Sequence, residues 1–206
     1  MNKISRVMIF CLLTLLSETL FSPCFSAERG FYLSTDVGYS VADYDSLTLR
    51  NGVHQQSAKD SGVASQFNFG YGFWGLSSAE IGVVYFHKVI FNGLNVIPSY
   101  RNNIKHNLVY LAGRIGIPTG SRWWPYVKVG VGYVARDSLT ALNGQGRAVS
   151  ALPEGEFFVP VYGLGLYYRA GKHWVLDGTW VGAPGRAQQE LPASNFYGIG
   201  VIYWFL

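Results

Sequence analysis

Asn195-Phe196-Tyr197-Gly198-Ile199-Gly200-Val201-Ile202-Tyr203-Trp204-Phe205 places an apolar residue at every second position. Successive side chains of a strand point to opposite sides, so Tyr197, Ile199, Val201, Tyr203 and Phe205 share one face of an extended segment.

Working back along the chain, seven more segments show the same period. Over 30–40, Phe31, Leu33, Thr35, Val37 and Tyr39 oppose Tyr32, Ser34, Asp36, Gly38 and Ser40. Over 63–73, Phe67, Phe69, Tyr71 and Phe73 oppose Gln66, Asn68, Gly70 and Gly72. Ile81, Val83 and Tyr85 form the apolar face of 79–88. In 104–117, Val109, Leu111, Ile115 and Ile117 alternate with Tyr110, Ala112, Arg114 and Gly116. Val127, Val129, Val131 and Tyr133 of 124–136 oppose Lys128, Gly130 and Gly132. Tyr162, Leu164, Leu166 and Tyr168 of 157–169 oppose Gly163, Gly165 and Tyr167. Trp174, Leu176 and Trp180 of 173–181 oppose Asp177 and Thr179.

The connections alternate in length. Segments 41–62, 89–103, 137–156 and 182–194 are long and polar, whereas 74–78, 118–123 and 170–172 are short. A bacterial membrane barrel has short periplasmic turns and long outside loops, and with both termini periplasmic it requires this order. A soluble meander has no reason to sort its loops to one end. Trp74, Trp123, Trp124 and Trp174 all fall near the short-turn end, as expected of an interfacial aromatic belt. With 16% aromatic residues, 25 glycines and only 14% charged residues, the composition is unusual for a soluble domain. After the first residues no apolar run approaches a membrane helix, which needs about 20 residues. The most apolar stretch, 159–168, is divided by glycines.

The chain of 206 residues starts with basic Lys3 and Arg6, an apolar run over 7–16 and a polar, small-residue stretch over 22–27. That is the pattern of a cleaved signal peptide, expected over 1–26, with the barrel over 27–206. An uncleaved anchor would need a longer apolar core, and Pro23 argues against a lipoprotein reading of Cys24. Both cysteines, Cys11 and Cys24, lie within 1–26, so packing and backbone pairing must hold the remaining chain together.

The closing alternation of Tyr197, Ile199, Val201, Tyr203 and Phe205 resembles the terminal assembly signal of outer-membrane proteins, with Leu206 one residue beyond the usual final aromatic. With eight segments, the chain resembles the small OmpA/OmpX and opacity-type surface barrels. The resemblance implies an all-β fold, an eight-stranded antiparallel up-and-down transmembrane β-barrel in the bacterial outer membrane, handled by the barrel-assembly machinery. The alternative, a soluble lipocalin-type barrel, buries its apolar face inside. Here the face opposite the apolar one carries Gly, Ser, Asn, Gln and charges.

Parity sends Asp36, Glu80, Arg114, Lys128, Arg169 and Asp177 inward. An eight-stranded barrel is only wide enough for side chains to fill it, and charges confined there must pair. The expectation is a lumen network in which Asp36 and Asp177 bond Arg114 and Lys128 as a plug, with a gate as the alternative.

No catalytic constellation emerges. His54 and Ser57 share one loop, His87 is expected near the outer rim and lipid-facing, and His173 sits by a periplasmic turn. No Cys/His metal spacing occurs, and no cofactor is expected. The in-strand glycines read as room for inward neighbours rather than phosphate loops. Lys88, Lys105 and Arg136 near the outer rim are candidate contacts for lipopolysaccharide phosphates. Loop charges of both signs, among them Arg50, Arg101 and Arg186 against Asp45 and Glu190, speak against nucleic acid. The expected function is that of a monomeric surface barrel, with envelope integrity, adhesion or host contact carried by four long extracellular loops. A narrow pore and a lipid A-modifying enzyme are the alternatives. The expected partners are outer-membrane lipid, lipopolysaccharide and a host or surface ligand.

Overall fold

The computed structural model describes residues 29–44, 57–74, 77–92, 103–142, 145–185 and 191–205. The expected signal segment 1–26 lies outside them, as do Asp45, Arg50, His54, Arg101, Arg186 and Glu190. In chain order the strands are β1 (Gly30–Ala42), β2 (Ser57–Lys59), β3 (Ser61–Trp74), β4 (Ser77–Tyr85), β5 (Val89–Asn92), β6 (Asn103–Ile104), β7 (His106–Gly116), β8 (Trp123–Arg136), β9 (Leu139–Leu142), β10 (Ala148–Leu152), β11 (Gly155–Arg169), β12 (Trp174–Ala183) and β13 (Ser194–Phe205).

Eight of these close into one barrel in the order β1-β3-β4-β7-β8-β11-β12-β13, each antiparallel to its neighbours, with β13 returning to β1. The closing seam runs in unbroken register from Phe31↔Phe205 to Ala42↔Ser194. Phe205 is thus the final paired aromatic, as the terminal alternation implies. Closure satisfies every edge, which is what allows strands to cross lipid.

The alternation is realised in side-chain direction. Val37, Leu111, Val129, Val131 and Ile199 are exposed on the outside, while Tyr32, Asp36, Gln66, Arg114 and Lys128 are buried inside. The apolar exterior has an aromatic rim at each end. Phe31, Phe73, Trp123, Trp174 and Phe205 lie near the short turns, and Tyr39, Tyr85, Phe158 and Tyr197 near the long connections. The ten steps from Trp123 to Tyr133 along a strand tilted about 40° rise roughly 25 Å, the height of an outer-membrane apolar band. One ring departs from expectation. Trp124 shares the inward parity of Tyr126, is half-buried, and donates through Nε1 to Ser121 O at 2.7 Å. It belongs to the mouth of the lumen, not to the lipid belt.

The described parts of three long connections carry further strands. β2, β5 and β6 form a three-stranded sheet, and β9 pairs with β10. β4 ends at Tyr85, short of the expected 88, because the chain turns over the mouth: Phe86 is buried and the His87 N–H donates to Ser40 Oγ at 3.1 Å. His87 is therefore not lipid-facing. A Cβ on Gly62 would lie 2.4 Å from its ring, so the imidazole rests on that glycine inside the rim.

Candidate functional site

The lumen has four storeys, and Asp36, Glu80, Arg114, Lys128 and Asp177 occupy one of them. At the short-turn end Tyr32, Val175 and Ile202 are packed with Tyr167 and Trp204. Above the charged layer Val84, Phe86, Leu108, Val134, Val159, Val161, Val181 and Phe196 form an apolar storey. Over the outer mouth Tyr44, Val89, Phe91, Ile104, Leu139, Ala151 and Leu152 form a second core, contributed by the chain after β1 and by β5, β6, β9 and β10. The linked charges and amides of the inward face are thus concentrated between the aromatic base and the apolar storey. The expectation of a polar lumen does not extend to the upper half, where the inward valines and leucines pack against one another.

The charged layer is centred on Glu80, 1% exposed. Its carboxylate pairs with Arg114 Nη2 and with Lys128 Nζ, the latter at 2.5 Å. Tyr32 OH donates to Glu80 Oε2 at 2.8 Å. Tyr110 OH lies 3.2 Å from Glu80 Oε1, donates to Asn68 Oδ1 at 2.6 Å, and accepts from Lys128 Nζ at 3.1 Å and Gln66 Nε2 at 2.8 Å. Asn68 Nδ2 continues the chain to Ser34 Oγ at 2.7 Å. The Arg114 guanidinium is also caged by rings, its Cζ 4.7 Å from the Tyr126 centroid, 5.0 Å from Tyr167 and 5.4 Å from Tyr32. An ammonium or guanidinium over an aromatic face gains further when desolvated.

This differs from the expected pairing. Asp177 accepts from Tyr126 OH at 3.0 Å, and neither oxygen of Asp36 has a hydrogen-bond partner among the described residues. Glu80, not the two aspartates, holds both cations. The reason is register. Ser78 pairs with Arg114 and Arg114 with Lys128, which sets Glu80 one inward position above Ser78, beside both cations. Asp36 pairs instead with Gln66 and Gly200. Arg169 ends β11 at the short-turn rim, where its Nε donates to Gly171 O at 3.4 Å, outside the central cluster. Glycines make room for the tyrosines. A Cβ on Gly70, Gly82 or Gly165 would lie 2.2, 2.4 and 2.1 Å from the rings of Tyr32, Tyr110 and Tyr126.

At the outer end Lys88 and Lys105 are exposed. Arg136 is buried, donates to Pro153 O at 2.7 Å and lies over the Phe157 ring. It follows the inward parity of Lys128 and Val134, and that parity removes it from the candidate lipopolysaccharide contacts. One contact was not legible: His106 Nε2 and Ser194 Oγ, 88 residues apart, lie 3.2 Å from each other. Both are buried, and the imidazole is stacked on Phe86 at 4.6 Å. His106 Nδ1 has no partner among the described residues. The buried pair ties β13 to β7 across the mouth. His173 Nδ1 lies 3.0 Å from Trp204 O at the short-turn end.

A closed eight-stranded antiparallel barrel with an apolar outside, two aromatic rims and a filled interior has the fold of the small bacterial outer-membrane barrels. Solved structures bear this out. Neisserial surface protein A matches with a TM-score of 0.57 at 16% identity, over 85% of this chain and 97% of its own. Outer-membrane protein OprG of Pseudomonas aeruginosa matches at 0.53 and 15% identity, over 87% and 99%. Ail, the attachment invasion locus protein of Yersinia pestis, matches at 0.51 and 14% identity, over 86% and 99%. No family model and no curated protein matches the chain.

Proposed function

We propose that this outer-membrane barrel is a sealed surface protein whose structural or interaction role is carried by the β-structure at its outer end. One observation carries the reading: the interior is filled from end to end by an aromatic base, the Glu80 layer, an apolar storey and a cap. A pore would have to open two apolar cores and separate a buried ion pair, whose breaking alone costs about 3–5 kcal/mol. The Glu80 layer then acts as a plug, not a gate. A closed barrel presents no free edge, so a monomer is sufficient. Adhesion, host contact and envelope integrity are the roles left to β2, β5, β6, β9 and β10, and the exposure of Lys88 and Lys105 supports a contact with lipopolysaccharide phosphates. Surface and attachment proteins are among the solved structures with this fold.

Two measurements test the reading. In planar bilayers the folded protein should give a flat baseline, and reproducible conductance steps would refute the sealed lumen. Replacing residues 139–152 with a short turn should abolish adherence of expressing cells to host cells or surface matrix. The unheated gel shift of the folded barrel should remain. Adherence unchanged by replacement of this and each other outer connection would refute an interaction role for that end.

A further inference from the structure

The two ends of the barrel differ in charge among the described residues. The outer end carries Asp43, Asp60, Asp137, Glu154 and Glu156 beside Lys88, Lys105, Arg136 and Arg147. The short-turn end carries Arg29, Arg122, Arg169 and Lys172, and no described Asp or Glu. Arg122 and Lys172 sit on neighbouring turns, and Arg169 closes β11 between them. The Arg169 N–H donates to Arg122 O at 3.0 Å, which holds the β7–β8 and β11–β12 connections side by side, and Lys172 follows in the second. Arg122 and Lys172 are exposed.

Directly next to them, on the outward face, Trp123 and Tyr168 pair across β8 and β11 with ring centroids 4.6 Å apart. Trp123 is 52% exposed. The turn beneath is cross-linked by its own side chains. Thr119 Oγ1 and Ser121 Oγ lie 2.8 Å apart, and Ser121 Oγ accepts from the Trp123 N–H at 3.1 Å. Gly120 takes the positive φ of 71° that the turn requires.

We propose that this corner binds an anionic phospholipid of the periplasmic leaflet. Its phosphate would lie among Arg122, Arg169 and Lys172, and its glycerol and upper acyl chain against Trp123 and Tyr168. Guanidinium and ammonium groups form charge-assisted bonds to phosphate oxygens. Aromatic rings with one wet edge settle where headgroup meets acyl chain. Arg122 and Arg169 each adjoin one of the two rings in sequence and Lys172 lies in the same turn, so a lipid at this corner would meet cations and rings together, whereas a soluble polyanion would leave the ring pair unused. The site goes beyond the surface role and rests on the short turns facing the periplasm. Its physical consequence is to fix the depth and tilt of the barrel.

Native mass spectrometry tests it. The folded protein is released from micelles doped with equal phosphatidylglycerol and phosphatidylcholine. Retained phosphatidylglycerol should exceed phosphatidylcholine about tenfold. Arg122→Gln/Arg169→Gln/Lys172→Gln should bring the two to parity while the unheated gel shift persists. Arg122→Gln/Lys172→Gln, which touches only exposed turn residues, should lower the preference at least partway if the triple variant does not fold. Equal retention by the unaltered protein overturns the proposal. So does a preference that survives the substitutions, and so does displacement of the lipid by soluble polyphosphate. Replacement of residues 139–152 should leave lipid retention unchanged, so the surface role and this site fail separately.

Discussion

Glu80→Gln and Asp36→Asn each remove one buried negative charge with almost no change of shape, and the structure predicts opposite results. Glu80 faces Arg114 and Lys128 and accepts from Tyr32, at 1% exposure. Its neutralisation leaves two desolvated cations without their shared partner. Breaking a buried pair from one side costs about 3–5 kcal/mol, because the remaining charge stays in a poorly screened interior. The other three storeys block water from the cations. Asp36 is fully buried and has no described hydrogen-bond partner. The layer holds three carboxylates against two cations, so its removal also relieves an excess of one negative charge. An unsatisfied buried charged group costs about 1–3 kcal/mol or more, so Asp36→Asn should stabilise by about 1–2 kcal/mol. The assay is urea titration of the protein refolded in lipid vesicles, followed by tryptophan fluorescence and by the fraction showing the unheated gel shift. Glu80→Gln should lower the unfolding midpoint and Asp36→Asn should raise it. If Asp36 and Asp177 were the partners of the cations, Asp36→Asn would destabilise and Glu80→Gln would be mild. That outcome, or two shifts of the same sign, refutes the Glu80-centred layer.

Gly165→Ala puts a Cβ 2.1 Å from the Tyr126 ring; the forced repacking should cost about 1–3 kcal/mol in the same urea titration, and a neutral result would mean the ring is not seated there. Phe91→Ala removes a buried ring from the cap and should loosen it by about 3–5 kcal/mol. Proteinase K should then cut the outer segments faster while the gel shift is kept, and unaltered protection would count against an independent cap. Val129→Arg places a charge on the lipid face midway between Trp123 and Tyr133, where Val129 is 68% exposed. It should destabilise the vesicle-folded barrel by about 2–4 kcal/mol, while a cost below about 0.5 kcal/mol, ordinary for a water-exposed site, would contradict an acyl-chain environment.

The number, direction and face of the eight barrel strands were determined by the sequence alone. Period-two alternation is a local property, and one buried or lipid-covered face forbids a one-residue slip. The order of long and short connections also told the two ends of the barrel apart. Parity also held two facts about single residues that a reading of position along the strand obscured: Trp124 lies on the face of Tyr126, and Arg136 on that of Lys128.

What only the tertiary structure decided concerns contacts across the barrel. Which carboxylate meets Arg114 and Lys128 depends on the stagger between strands, and alternation along one strand carries no information about stagger. That stagger set Glu80 between the two cations and left Asp36 opposite Gln66 and Gly200. The same holds for His106 and Ser194, joined across the mouth, and for the cap, whose residues come from five separate segments. Local pattern fixes which way a side chain points. Closure of the sheet fixes what it meets there.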